Sequence, residues 1–225
     1  MTDGLTPFET RLGHRFKDRA LLLRALTHAS AAGETGAAKT NERLEFLGDR
    51  VLGLCMAEWL SELYPQENEG DLGKRFGLLV SRDVLAPIAE RMGLGAALRL
   101  PPSQRHSNLR SSATALADAL EAVLAALYLD GGLPAARAVI EREWVTALEG
   151  QAQPPRSPKS ELQEWTLKRG LGLPAYMTVS VGGEGVDSRF ESTVIAAGRE
   201  AVGAGTNKRA AEQAAAEAWL AERTA

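Results

Sequence analysis

From Ser111 to Asp130 the chain reads SSATALADALEAVLAALYLD, a stretch whose charges are Asp118, Glu121 and Asp130 alone. Wound at about 100° per residue, Leu116, Leu120, Leu124 and Leu127 form one helical stripe. Ala125 and Leu129 adjoin the acids on the other side. A helix apolar nearly all round belongs in a core. Asp118 and Glu121, at i and i+3, share one of its faces. Carboxylates carried into a core need a metal or a paired partner. The segment therefore belongs in a core with something positive opposite its acids.

Residues 41–56 repeat the pattern. In NERLEFLGD, Glu42, Glu45 and Asp49 fall within an arc of roughly 60° on a helix. Leu44, Leu47, Val51 and Cys55 project to the opposite side. Phe46, Gly53 and Met56 share the acidic face, where a solvated helix would carry Lys, Gln or Ser. Two such helices imply one acidic cluster. Periodicity alone leaves two readings open. Hard oxygen ligands suit Mg²⁺ or Mn²⁺; alternatively the acids are solvated or salt-bridged, with Arg43 and Arg50 neutralising part of the charge. There is no HExxH and no Cys/His cluster, which argues against zinc.

The clearest break in the chain is EGQAQPPRSPKS, residues 149–160, which has the proline-rich, aperiodic texture of a linker. We divide the chain into a first domain over 1–150, a linker over 151–157 and a second domain over 158–225. The first is all-α, with helices expected at 18–29, 41–62, 71–92 (one or two), 112–130 and 134–149. The second reads α-β-β-β-α: a helix at 160–170, strands at 175–181, 188–196 and about 200–204, and a helix at 207–222. The overall class is multidomain, α followed by α+β.

Hydrophobic residues at 44% and charged residues at 24% describe a globular chain. No run approaches roughly 18 apolar residues, so a membrane partner is not expected. MTDGLTPFET lacks the pattern of a secretory signal. Cys55 is the single cysteine, so no intrachain disulfide forms and a reducing, cytoplasmic setting is expected. Net charge is −3, carried by residues 1–155, with residues 156–225 at zero. Any polyanion must be bound through local cations, helped by metal.

NERLEFLGDRVLG (41–53) and LADALEAVLAALYLD (116–130) closely resemble the two signature segments of bacterial ribonuclease III. RLGHRFKD (11–18), LTHAS (26–30) and NEGDLGKRFGLLVSRDVLA (68–86) are similar to the same family, and the α-β-β-β-α tail resembles its double-stranded-RNA-binding domain. The resemblance covers nearly the whole chain. It implies metal-dependent hydrolysis of double-stranded RNA, with Glu45, Asp49, Asp118 and Glu121 as the catalytic, Mg²⁺-holding acids and Mn²⁺ as a possible substitute ion. Asp49 and Glu121 would be central. Glu42 and Glu69 match further acids linked to the RNA-facing valley or additional metal. The resemblance also implies a homodimer whose signature helices meet across a two-fold, with Gly48 and Gly53 suited to close helix contact. Products would carry 5′-phosphates, 3′-hydroxyls and two-nucleotide 3′ overhangs. The expected role is processing of ribosomal RNA precursors and some messenger and transfer RNAs.

In the tail, the resemblance implies RNA contacts from Ser160, Gln163 and Glu164 on the first helix, from the loop GGEGVD (182–187), and from Lys208 and Arg209 in the first turn of the last helix. Cations there oppose the helix dipole, so their placement needs another cause such as a phosphate. Three positions depart from the family pattern: Arg50 where a small residue is usual, Val186 where histidine is usual, and Ala210 where a third basic residue is usual. His14, His28 and His106 are far apart; local bonding of His28 to Ser30 is expected rather than nucleophilic catalysis. GAGTNK (203–208) lacks phosphate-loop spacing. Trp59, Trp144, Trp165 and Trp219 read as packing anchors, and Cys55 as an inert core residue. A catalytically silent RNA-binding scaffold is the competing class, and a helical interaction protein with solvated acids a third.

Overall fold

The structure, a computed structural model, describes residues 5–35, 39–104, 107–150, 157–182 and 189–222. The chain forms two compact units, 1–155 and 156–225. The linker residues 151–156 lie outside the described residues, as do His106 and Val186.

The first unit is helical. Its helices are α1 (Thr6–Leu12), α2 (Arg19–Ala25), α3 (Ala32–Thr35), α4 (Glu42–Leu63), α5 (Glu69–Leu79), α6 (Arg82–Arg91), α7 (Leu94–Ala97) and α8 (Ala113–Glu149). Asp18 caps α2, accepting from the Ala20 N–H at 2.9 Å. That helix ends at Ala25, four residues before the expected 29, because Thr27 leaves to bridge Arg99. Helix α1 was not anticipated: seven residues give too short a window for a periodic signal.

Helix α8 is the axis of this unit. Leu116, Leu120, Val123, Leu124 and Leu127 are at most 4% exposed and pack with Leu44, Leu52, Cys55 and Met56 of α4. It is two helices in continuation. Gly132 has φ 74°, ψ −179°, a conformation open to glycine, and Pro134 restarts the second segment. The expected break between 130 and 134 is this kink. Asp130 fixes it to the N-terminal loop, accepting from the Lys17 and Asp18 N–H groups at 3.1 and 2.9 Å and contacting His14 Nε2 at 2.8 Å. Helix α8 is long and apolar enough, by composition, to cross a membrane, although no such run was expected; much of it is buried within the unit. Trp144 is fully buried and donates Nε1–H to the Leu79 carbonyl at 2.9 Å, joining α8 to α5.

One crossing decides where the acids go. Gly48 of α4 lies against the backbone of Glu121 in α8: an added Cβ would stand 1.7 Å from the Glu121 carbonyl oxygen. Gly53 faces Phe76 of α5. The expectation tied these glycines to contact across a two-fold; the contacts found are within one chain. A residue with no side chain is needed here because the two backbones approach so closely.

The second unit comprises α9 (Pro158–Lys168), β1 (Ala175–Gly182), β2 (Arg189–Ala196), β3 (Arg199–Gly205) and α10 (Lys208–Ala221). The sheet is antiparallel in the order β1-β2-β3, with Thr193 opposite Met177 and Val202. Ala197 and Gly198, both at positive φ, make the two-residue turn into β3. Leu162, Val194, Ala215, Ala216 and Trp219 form its core, with Trp165 edge-on to Trp219. Both tryptophans pack, as expected.

Candidate functional site

The α4–α8 crossing brings together carboxylates that lie more than seventy residues apart in sequence. Glu45 from α4 and Asp118 and Glu121 from α8 each present an oxygen, all within 4.8 Å of one another. The three are half-buried, so they stand at the rim of the core rather than inside it. Both helices expose this face for the same reason: their leucine stripes are spent on each other.

The cluster is strained electrostatically. Glu121 is pushed up to about 7, first by burial, then by Asp49, Glu45 and Asp118, with Arg50 acting against the rise. Burial raises Glu45, and Asp118, Glu42 and Asp49 add to it. Burial also raises Asp118, while Arg82 and His28 pull it down. Carboxyl groups that resist ionising side by side are suited to a hard divalent cation between them.

Asp49 adjoins this trio without joining it. Its carboxylate accepts from Arg50 Nη1 at 2.6 Å. Arg50 is held there by stacking on the Phe46 ring, 4.1 Å from the centroid, and by donating to the Phe46 carbonyl. The departure at position 50 thus neutralises part of the acidic face, one of the two readings left open for Arg43 and Arg50. Arg43 makes no ion pair among the described residues. Glu42, exposed in the first turn of α4, accepts from Thr40 Oγ1 at 3.1 Å. Glu69, at the start of α5, is not one of the trio and lines a cavity of about 480 Å³ with Leu60, Leu72 and Phe76.

Two neighbours of the cluster were missed. His28 and Arg82 both act on Asp118, and no local motif links them to it. His28 is also locally bonded as expected: Ser30 N–H donates to Nδ1 at 3.1 Å, with Ser30 Oγ 2.9 Å from the same nitrogen.

In the second unit, Ser160, Gln163 and Glu164 are exposed on one face of α9; Ser160 Oγ bonds Ser157 Oγ, and Glu164 faces Lys168 at 3.8 Å. Lys208 and Arg209 open α10 and are exposed, with Asn207 capping the helix by accepting from the Ala210 N–H at 2.9 Å. Their heads have no carboxylate ion pair among the described residues.

Comparison with known proteins agrees with this geometry. Residues 18–148 match the family model described as ribonuclease-III-like, and residues 158–222 match the double-stranded RNA binding motif. The chain is 44% identical over 222 residues to ribonuclease 3 of Azorhizobium caulinodans, covering 98% of this chain and 94% of that one. It is also 44% identical to ribonuclease 3 of Rhodobacter capsulatus, covering 96% and 94%. A solved nuclease domain of ribonuclease III from Campylobacter jejuni, described with a region involved in dimer formation, is 35% identical with a TM-score of 0.58. It covers 62% of this chain and 94% of its own.

Proposed function

The chain belongs to the ribonuclease III family of double-strand-specific endoribonucleases, and on that premise we propose that Glu45, Asp118 and Glu121, with Asp49 beside them, hold a Mg²⁺ ion against the scissile phosphodiester. The observation that carries this is the meeting of three carboxylates from two helices within 4.8 Å, one of them raised to about 7 by burial and by its acidic neighbours. All-oxygen donors suit Mg²⁺, with Mn²⁺ able to substitute. When bound, the ion supplies Lewis acidity to the phosphate and to the attacking water.

The chain's own groups set the conditions for that chemistry. Burial and the neighbouring acids push Glu121 up to about 7, and a cation among these carboxylates would favour its ionised form. Arg50 holds the Asp49 carboxylate in place next to the trio. Glu42 and Glu69 serve the RNA-facing side or additional metal. Ser160, Gln163 and Glu164 meet 2′-hydroxyls in the minor groove of A-form RNA, and Lys208 and Arg209 meet phosphates. Two copies form a homodimer whose clusters cut opposite strands. The products carry 5′-phosphates, 3′-hydroxyls and two-nucleotide 3′ overhangs. The enzyme acts in the cytoplasm on ribosomal RNA precursors and on some messenger and transfer RNAs.

The test is cleavage of an end-labelled hairpin RNA in Mg²⁺, in Ca²⁺ and in chelator. Cleavage in Mg²⁺ alone, leaving 5′-phosphates and two-nucleotide overhangs, is expected. Binding without cleavage in every metal would refute the metal assignment in favour of a silent scaffold.

A further inference from the structure

Away from the carboxylates, the first unit has a cavity of about 320 Å³ lined by Ala20, Leu23, Arg24, Thr27, Lys39 and Arg99. Three of these six are cations and none is an acid. None of the three makes an ion pair among the described residues. Elsewhere in this unit cations that face acids are paired with them: Arg19 with Glu9, Arg75 with Glu67, and Arg137 with Glu58, Glu62 and Glu141. Arg24 is held in position, its Nε donating to the Thr40 carbonyl at 3.2 Å, which leaves its terminal nitrogens to the cavity. Lys39 and Arg99 are exposed.

The wall of the cavity is joined to the catalytic helix. Thr27 bridges Arg99, the Arg99 N–H donates to the Leu26 carbonyl at 2.8 Å, and the Asn41 N–H donates to the Thr27 carbonyl at 2.8 Å. Asn41 immediately precedes α4, which carries Glu42, Glu45 and Asp49.

We propose that Arg24, Lys39 and Arg99 form a phosphate-binding site on the catalytic unit, which holds the RNA backbone beside the scissile phosphate. This rests on the reading that the acidic cluster cuts duplex RNA. The chemistry is that of a phosphate oxyanion: three cations over the apolar floor of Ala20 and Leu23, with no competing carboxylate. Two features favour a polymer phosphodiester over a free anion. The cavity is open and its outer cations are exposed, which suits a strand passing across it. The acidic cluster with Glu42 repels a polyanion, and unspent cations along the wall next to α4 offset that repulsion.

The test uses the full-length enzyme and Lys39→Gln/Arg99→Gln, both at exposed positions, with melting curves as the folding control. Cleavage of the hairpin RNA is measured in Mg²⁺ across a salt series, with and without inorganic phosphate. The double variant should raise KM about fivefold while kcat holds, and flatten the log–log salt dependence by about two counterions. An unchanged KM and slope would overturn the proposal. So would a variant that loses only inhibition by inorganic phosphate, which would make the cavity a free-phosphate site. If the parent enzyme failed to cut, the reading of the acidic cluster would fall; the salt slope of RNA binding in Ca²⁺ would still decide the role of this cavity.

Discussion

With its carboxyl pushed up to about 7 by burial and by Asp49, Glu45 and Asp118, Glu121 is ionised at a cost to the metal-free fold. Its ordinary value is 4.5, so the folded state binds this proton more tightly than the unfolded state. The resulting stabilisation is fully present below about 4.5 and is lost as pH rises through about 7. We expect the metal-free enzyme to melt lower at pH 8 than at pH 6, and excess Mg²⁺ to reverse the loss at pH 8 by binding the folded state. Glu121→Gln should remove the Glu121 part of this pH step. It should also raise the metal-free melting temperature at pH 8 by about 2–4 °C and cut cleavage by at least about 100-fold. A variant with the parent's pH profile would show that this carboxyl is not under repulsion. The pairing of Asp118 with Glu121 was legible from their i, i+3 spacing, and Glu45 from its place on the acidic arc. His28 and Arg82 were not legible, because their relation to Asp118 is made by tertiary packing alone.

At the scale of elements, the acidic cluster depends on how closely α4 and α8 cross. Gly48→Ala would put a Cβ 1.7 Å from the Glu121 carbonyl oxygen, inside any tolerable contact, so the helices must part. Overpacking of this kind costs about 1–3 kcal/mol. The shift also carries Glu45 away from Glu121. We expect a lower melting temperature together with at least a tenfold loss of Mg²⁺ affinity by titration calorimetry; parent-like values of both would mean that the crossing can relax without moving the acids. The two helices themselves were readable, because long apolar periodic segments fix type and approximate ends. Their mutual approach was not: glycine in a helix announces closeness without naming the partner, and here the partner is Glu121 of the same chain. The early end of α2 has a similar cause, since Thr27 is drawn to Arg99 by a bridge that no local pattern contains. The kink in α8 was readable because Gly132 and Pro134 carry their backbone preferences in their covalent structure.

For the whole molecule, the question is how a chain of net charge −3 holds a polyanion. The excess of acid lies in the unit that carries the acidic cluster, and the second unit is neutral overall. Affinity must then come from a few cations placed where RNA passes, and the division into units was visible in the proline-rich linker before any contact was known. We propose Lys208 and Arg209 as such cations; they lie at the positive end of α10, where they oppose the helix dipole. Removing them should therefore leave folding intact or slightly improved, while a structural role would lower the melting temperature. Lys208 does have one local neighbour, Glu212, whose carboxyl is held low mainly by its bond to Lys159 and only slightly by Lys208. That pair survives the substitution. We expect Lys208→Ala/Arg209→Ala to melt like the parent, to weaken RNA binding, and to flatten the log–log salt dependence of binding by about two counterions. At saturating RNA the cleavage rate should hold, because the acids of the other unit are untouched. An unchanged slope would remove phosphate contact from the roles of α10, and the cations at its N-terminus would need a different cause.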